Sequence, residues 1–274
     1  MIEVSVEAIA SHTQYYDQSL RCFTFKDFQL APTVEEFEGI LGCSIGGRKP
    51  YLFSGNRVAG IPRKFLEEKA ETLASQREWV TFIDVLALLV LETILFPNVD
   101  GLVDLAAIDA FLAYHHNKES PIIAILADAY DTFNLRCEKS SARIVCCMPG
   151  LYVCLVSHIF NHESRSVCPL QGHRMCSRKD KANWEELLAS MTGVSISWFP
   201  QWKEGGAGAL CSCEGFPNVP LIGMKGRINY NPVLAIRQLR YLMSGAPLEE
   251  TIAPFIARGF DEANTKMLQR IRKA

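Results

Sequence analysis

The run from Trp79 to Phe96, WVTFIDVLALLVLETILF, constrains this chain most, because only Asp84 and Glu92 bring charge to a largely apolar stretch. A membrane span needs about 20 predominantly apolar residues and tolerates central acids poorly, so the run reads as a buried helix. Phe82, Val85, Leu86, Leu89 and Leu95 are its core residues, and a domain built around Thr81–Leu95 is the expectation. Pro97 ends the helix, since proline lacks the amide and disfavours helix at the residue before it. Asp84 and Glu92 are eight apart and near one face, as buried acids or as partners of an arginine.

Helix signals recur on either side of this run. Thr33-Val-Glu-Glu36 is a capping box: the Thr33 hydroxyl accepts from the Glu36 amide while the Glu36 side chain reaches back. The helix it opens carries Phe37, Ile40 and Leu41 and stops at Gly42. Pro62 starts another, with Phe65, Leu66 and Leu73 on one stripe and Glu67, Glu68, Lys69 and Glu71 solvated. Asp100 or Asp104 caps a helix bearing Leu105, Ile108 and Leu112, and His115-His116 suits its C-terminal carbonyls. Ser120-Pro121 leads Ile122, Ile125, Leu126, Ala129 and Phe133 down one face.

Further along, Ile144 to Phe160 is apolar but broken at Pro149-Gly150, predicting a strand or short helix and then a helix from Leu151. Residues 161–181 form a polar loop, and Trp184, Leu187, Leu188 and Met191 a short helix ending at Gly193. Helices from Pro232 and over 260–274 complete the set. Strand patterns are few and short: Phe23 and Phe25, then Val194, Ile196 and Trp198. The fold class is therefore mainly α, a single helical globular domain over 1–274 with a small short-stranded β element. Residues 1–22 are set apart as a loosely attached N-terminal arm. The tetrapeptide Phe-Pro-Asn-Val stands at 96–99 and again at 216–219, where both copies read as rigid turns with a core-anchored phenylalanine.

A formal net charge of −2 supplies no global field for nucleic acid or an anionic membrane. Ten cysteines behind a start with no basic, apolar leader point to free thiols in a reducing compartment, cytosolic or nuclear. Cys168, His173, Cys176, Cys211 and Cys213 could supply zinc ligands, but the spacing is not a paired C-x2-C frame, and free loop thiols are favoured. Cys154 and His158, at i and i+4, could pair as thiolate and imidazolium, although a cysteine on so apolar a helix ordinarily packs as a small hydrophobe. Loop 161–181 holds five basic residues against two acidic ones without interleaved aromatics, so a solvated loop outranks a nucleic-acid contact. Dinucleotide-binding, Walker and nucleophile-elbow motifs are absent. No catalytic, cofactor-binding or metal residue is assigned.

Taken over nearly its whole length, the sequence resembles a plant mobile domain, especially the legume-rich branch found in transposon-derived reading frames. FTFKDFQLAPTVEEFEGILG is similar to that family's strand, threonine-capped helix and glycine turn. FPNVD at 96–100 and VCCMPGLYVCLVSHIF at 145–160 look like the branch's central segments, and SISWFP at 195–200 resembles its x-V-x-W-x-P-Y strand with a changed ending. The most specific piece is GFPNVPLIGMKGRINYNPVLAIRQLRYLM, where Pro232 to Leu239 resembles P-x-R-V-x-R-Q-F-G. Arg237-Gln238 persists there, the arginine before the valine is missing, and Arg240 replaces the glycine. Relatives commonly continue past Ala274, as they would past a truncated gene product.

The resemblance implies a non-enzymatic protein-interaction module of a transposon-derived or transposon-silencing plant protein, without cofactor and with a protein partner. Its "aminotransferase-like" label finds no Schiff-base lysine here. The alternative is a nucleic-acid-binding accessory protein of a mobile element, using loop 161–181 and the basic C-terminal helix. Arg237 and Gln238 read either as a clamp on acids such as Asp84 or Glu92, or as a partner-facing pair.

Overall fold

The computed structural model describes residues 4–43, 45–52, 60–97, 101–159, 180–198, 213–224, 227–231, 248–252 and 262–274. In chain order these hold α1 (Val6–His12), β1 (Tyr16–Asp17), β2 (Cys22–Thr24), β3 (Gln29–Leu30), α2 (Val34–Leu41), β4 (Ile61–Pro62), α3 (Arg63–Gln76) and α4 (Trp79–Val90). There follow a π-helical turn (Leu91–Leu95), β5 (Leu102–Val103), α5 (Leu105–Asn117), α6 (Ile122–Glu138), α7 (Met148–Ile159) and α8 (Lys181–Ser190). The last elements are β6 (Val219–Ile222), β7 (Arg227–Tyr230), α9 (Glu249–Ile252) and α10 (Glu262–Lys273). The chain is mainly helical and forms one domain, and the described residues hold three small antiparallel sheets ordered β1-β2-β3, β4-β5 and β6-β7.

Helix α6 is the centre. Every residue from Ile122 to Tyr130 is buried, which a helix achieves only when it is enclosed on all sides. Helix α7 is buried almost as fully, from Gly150 to Ile159. It runs through Pro149-Gly150 without a break, because proline is tolerated in a first turn, where its missing amide has no partner to lose. The β6-β7 hairpin lies against α6, and Met224 N donates to the buried Asp128 carboxylate at 2.9 Å. Gly223 makes that approach possible, since a Cβ there would meet Asp128 Oδ1 at 2.4 Å.

The capping box forms as its sequence pattern implies. Glu36 N donates to Thr33 Oγ1 at 3.2 Å and Thr33 N to Glu36 Oε2 at 2.8 Å, and α2 ends on Gly42 in the left-handed region, φ 63°. Asp104, rather than Asp100, caps α5 through a bond from Ala106 N.

Four expectations are corrected. The Thr81–Leu95 helix is not the centre: Leu88 is the only buried residue of α4, and Leu86 is exposed. Leu105 and Leu112 of α5 also face outward while Ala106, Ala107, Ala110 and Ala113 pack inward, and Phe65 of α3 is exposed beside a buried Leu66 and Leu73. Close helix packing selects small side chains, so an alanine face can outrank a leucine face. Val194 to Ser195 is a turn rather than a strand, tied by Trp198 Nε1 donating to Gly193 O at 2.9 Å. Finally, residues 4–22 are not a loose arm: α1 packs on α7 and α8 and places Ala8 and Ile9 in the core.

Candidate functional site: a buried glutamate–histidine–cysteine cluster and an exposed helix face

The capping box aims Glu36 into the interior, where α7 passes. Cys154 and His158 share a face of α7, one turn apart, and both meet the Glu36 carboxylate. Cys154 Sγ donates to Glu36 Oε2 at 3.6 Å, and His158 Nε2 is in direct contact with Oε1. On its other side His158 Nδ1 donates to the Ser197 carbonyl at 2.6 Å. A carboxylate and a carbonyl only accept hydrogen bonds, so the ring carries protons on both nitrogens: this is an imidazolium in a dry core.

Burial alone would push the Glu36 carboxyl up, but the His158 charge and hydrogen bond, with those from Thr33, outweigh it and hold Glu36 below the usual carboxylate range. Burial likewise disfavours the charged ring, yet Glu36 and the Ser197 carbonyl raise His158 above its ordinary value. Burial and then the adjacent carboxylate push the Cys154 thiol well up. His12 of α1 stands close by, stacked on Phe23 at 3.8 Å between ring centroids. Desolvation first, and the His158 charge second, lower His12 to about 3, so it is neutral. A small apolar cavity borders the cluster at His12 and Cys154, lined also by Phe23, Phe133 and Leu151.

This arrangement holds the core together and is poorly set for catalysis. A cysteine nucleophile needs a neighbouring base or cation to favour the thiolate. Here the cation faces Glu36, and the thiol faces the anion. The donor atoms of Glu36, Cys154 and His158 lie within 4.8 Å of one another, which suits a metal set by composition. The fit fails on geometry, because the contact between His158 and Glu36 leaves no room for an ion between them.

The sequence brought out Cys154 and His158 as a pair; Glu36 was legible only as a cap. Of the other candidates, Cys168, His173, Cys176, Cys211, Arg237 and Gln238 lie outside the described residues, as does loop 161–181 except for its last two residues. Asp180 caps α8 there, and Lys181 begins it. Cys213 is half-buried in a bridge with Phe216, whose ring lies under Arg270. Glu92 is buried and bound by Arg63 at 2.7 Å, while Asp84 is part-exposed and 3.9 Å from His115. In α10, Lys266 forms an exposed pair with Glu262 one turn away, Arg272 pairs with Glu119, and Arg270 lies over the Phe216 ring.

The surface carries a second feature. Trp79, Val80 and Ile83 of α4 are 55%, 79% and 60% exposed, and Leu86, Val90 and Ile94 continue the same stripe. At 100° per residue, positions 79, 83, 86 and 90 fall within about 60° of one another around the axis, a seam suited to a facing helix.

A family model described as a domain of unknown function (DUF7745) matches residues 1–58 and 52–274, which together span the chain. The chain belongs to that family. No curated protein and no solved structure matches it.

Proposed function

We propose that this member of the DUF7745 family is a non-enzymatic protein-interaction module of a transposon-derived or transposon-silencing plant protein. In this reading it is akin to the plant mobile domain that its sequence resembles, and it acts in the nucleus. The observation that carries the reading is the apolar stripe of α4. A contiguous patch of this kind is unfavourable in water and marks a binding surface. A helix that turns Trp79, Ile83, Leu86 and Val90 outward while burying Leu88 has more apolar surface than its own fold uses.

Two further observations support the reading. The buried cluster presents an anion to its thiol, an arrangement that resists nucleophilic chemistry. Among the described residues, no helix is long and apolar enough to cross a membrane, so a bilayer-spanning segment does not account for the stripe.

Affinity purification from plant nuclei tests this, with the wild-type chain and an Ile83→Glu/Val90→Glu variant as paired baits. Proteins retained by the first and lost from the second are the expected outcome. Recovery of the same proteins on both baits, or of none above background, would count against it.

A further inference from the structure

We infer that the surface beneath α10 is a docking groove for a basic amphipathic helix, and that α10 is its detachable occupant, displaced by a partner's helix of the same chemistry. None of the residues involved belongs to α4, so the inference stands apart from the interaction reading above.

The carrying observation is that the groove is firmly anchored and the helix in it is not. The floor is Leu52 and Ile222, which close with Leu268 and Ile271 of α10 into a small apolar cluster separate from the main core. Each floor residue follows one that the main core holds, Tyr51 before Leu52 and Leu221 before Ile222. In β6 successive side chains take opposite faces, so Leu221 enters the main core while Ile222 faces the groove. Backbone bonds fix the acidic end beside Glu119: Tyr51 N donates to Ser120 O at 3.0 Å and Ser120 N to Lys49 O at 2.9 Å.

Helix α10 is lightly held. Leu268 and Ile271 are its buried residues among twelve, whereas α7, of equal length, buries every residue from Gly150 to Ile159. A segment with so few buried apolar contacts opens without the rest of the domain. Its exposed face carries Lys266, Arg270 and Lys273, so release sets little apolar surface in water.

Charge names the occupant. Arg272 donates to Glu119 at 3.3 Å, and Glu119 is buried, so an emptied groove leaves an acid that calls for a cation. Asp109, Glu119 and Asp128 gather about Tyr51, where their charges add to burial in pushing its hydroxyl up. Arg270 lies over the Phe216 ring at 5.4 Å. The groove therefore selects apolar residues three apart with arginines two and four positions after the first, which an acidic helix cannot supply.

Fluorescence anisotropy of a labelled peptide of residues 262–273 tests this on the full chain, as wild type and as Leu268→Asp/Ile271→Asp, in which α10 cannot seat. The variant should bind the peptide with a dissociation constant on the order of 100 μM. The wild type should bind at least about 10-fold more weakly, because its own helix fills the groove. Adding Glu119→Arg to the variant should abolish binding, and a peptide carrying Arg272→Glu should recover it on that chain. In the wild type, α10 amides should exchange with solvent at least about 100-fold faster than those of α6. Equal binding by wild type and variant, no binding by a folded variant, a charge swap without effect, or α10 amides as slow as those of α6 would overturn the proposal. A variant that loses its helical circular dichroism would make α10 integral to the domain and overturn it equally.

Discussion

Helices α4 and α6 invert the usual expectation about where hydrophobic residues go. Helix α4 is the more apolar and lies at the surface, with Leu88 its one buried residue. Helix α6 carries Asp128, Tyr130 and Thr132 and is the enclosed centre of the fold. The contrast shows that apolar density reports how much surface a chain must hide, whereas position in the core depends on which polar groups have partners. Asp128 can be buried because Met224 N bonds it, and Tyr130 because its hydroxyl donates to Pro32 O at 2.9 Å. Conversely, nothing in the described fold requires Val80 or Ile83 to face water. On the proposed reading, such side chains are left for a surface that closes on association.

The largest test of this contrast is at the interior cluster. Glu36→Ala removes the capping box and the partner of an imidazolium in one step. The expected loss is about 3–5 kcal/mol in urea denaturation, the range for breaking a buried ion pair by deleting one side. Glu71→Ala on the solvated side of α3 should change stability by less than about 0.5 kcal/mol. Equal effects at the two sites would mean that the cluster does not hold α2 to α7.

The repeated FPNV tetrapeptide gives a second test, full against partial burial of the same residue in the same tetrapeptide. Phe96 is fully buried, whereas Phe216 is half-exposed beneath the Arg270 guanidinium at 5.4 Å. The expectation that both phenylalanines anchor in the core holds at Phe96, whereas Phe216 only borders the small cluster of Leu52, Ile222, Leu268 and Ile271. Phe96→Ala should destabilise by about 3–5 kcal/mol through cavity formation, and Phe216→Ala by about 1 kcal/mol through lost ring contact. Comparable losses by thermal denaturation at both sites would contradict the difference in burial.

These two sites also show how far the sequence could be read. Local signals were legible: the Thr33 box, the Gly42 stop, the inward face of α6 and the Cys154–His158 spacing each depend on residues within a turn or two. Glu36 reaches His158 across 122 residues, and no periodicity carries that information. Its capping bonds to Thr33 are local and carry no sign of a second partner. The misplaced α4 has a different cause. Hydrophobic pattern fixes the length of a helix and its stripe, but only packing partners decide which stripe is inside. The alanines of α5 follow the same rule, since a small side chain gives a weak pattern signal and a close helix contact.

The histidines separate the two kinds of burial by pH. His12 is held neutral, with its value lowered to about 3, so between pH 6.5 and 3 the unfolded chain binds a proton that the folded one refuses. Stability should fall by about 1.4 kcal/mol per pH unit across that window, or about 2 kcal/mol by pH 5. His158 has the opposite sign. Its value is raised, so its contribution is complete below pH 6.5 and is lost as pH rises toward its folded value. Glu36 is lowered, so its contribution persists until pH falls below the ordinary carboxylate range. His12→Leu should therefore flatten the acid limb from pH 6.5 to 5, and His158→Gln the alkaline limb. Denaturation midpoints that move identically with pH in both variants would show that the two rings do not sit in the environments described.

The smallest expected effect on stability is the one that most sharpens the comparison. Ile83→Thr removes apolar surface from a side chain already 60% exposed, and neither residue is favoured in a helix interior over the other by more than a few tenths of a kcal/mol. The change should lie within about 0.5 kcal/mol. Leu88→Ala, on the buried side of the same helix, should cost about 2–4 kcal/mol. On the proposed reading, Ile83→Thr should instead weaken retention of the proteins that the wild-type chain captures from plant nuclei. Melting temperature and capture, measured on the two variants, therefore read two quantities from one helix. Leu88 reports what α4 contributes to its own fold, and Ile83 reports what the proposed partner surface needs. A loss of stability at Ile83 that matches Leu88 would place this face inside the monomer's own packing.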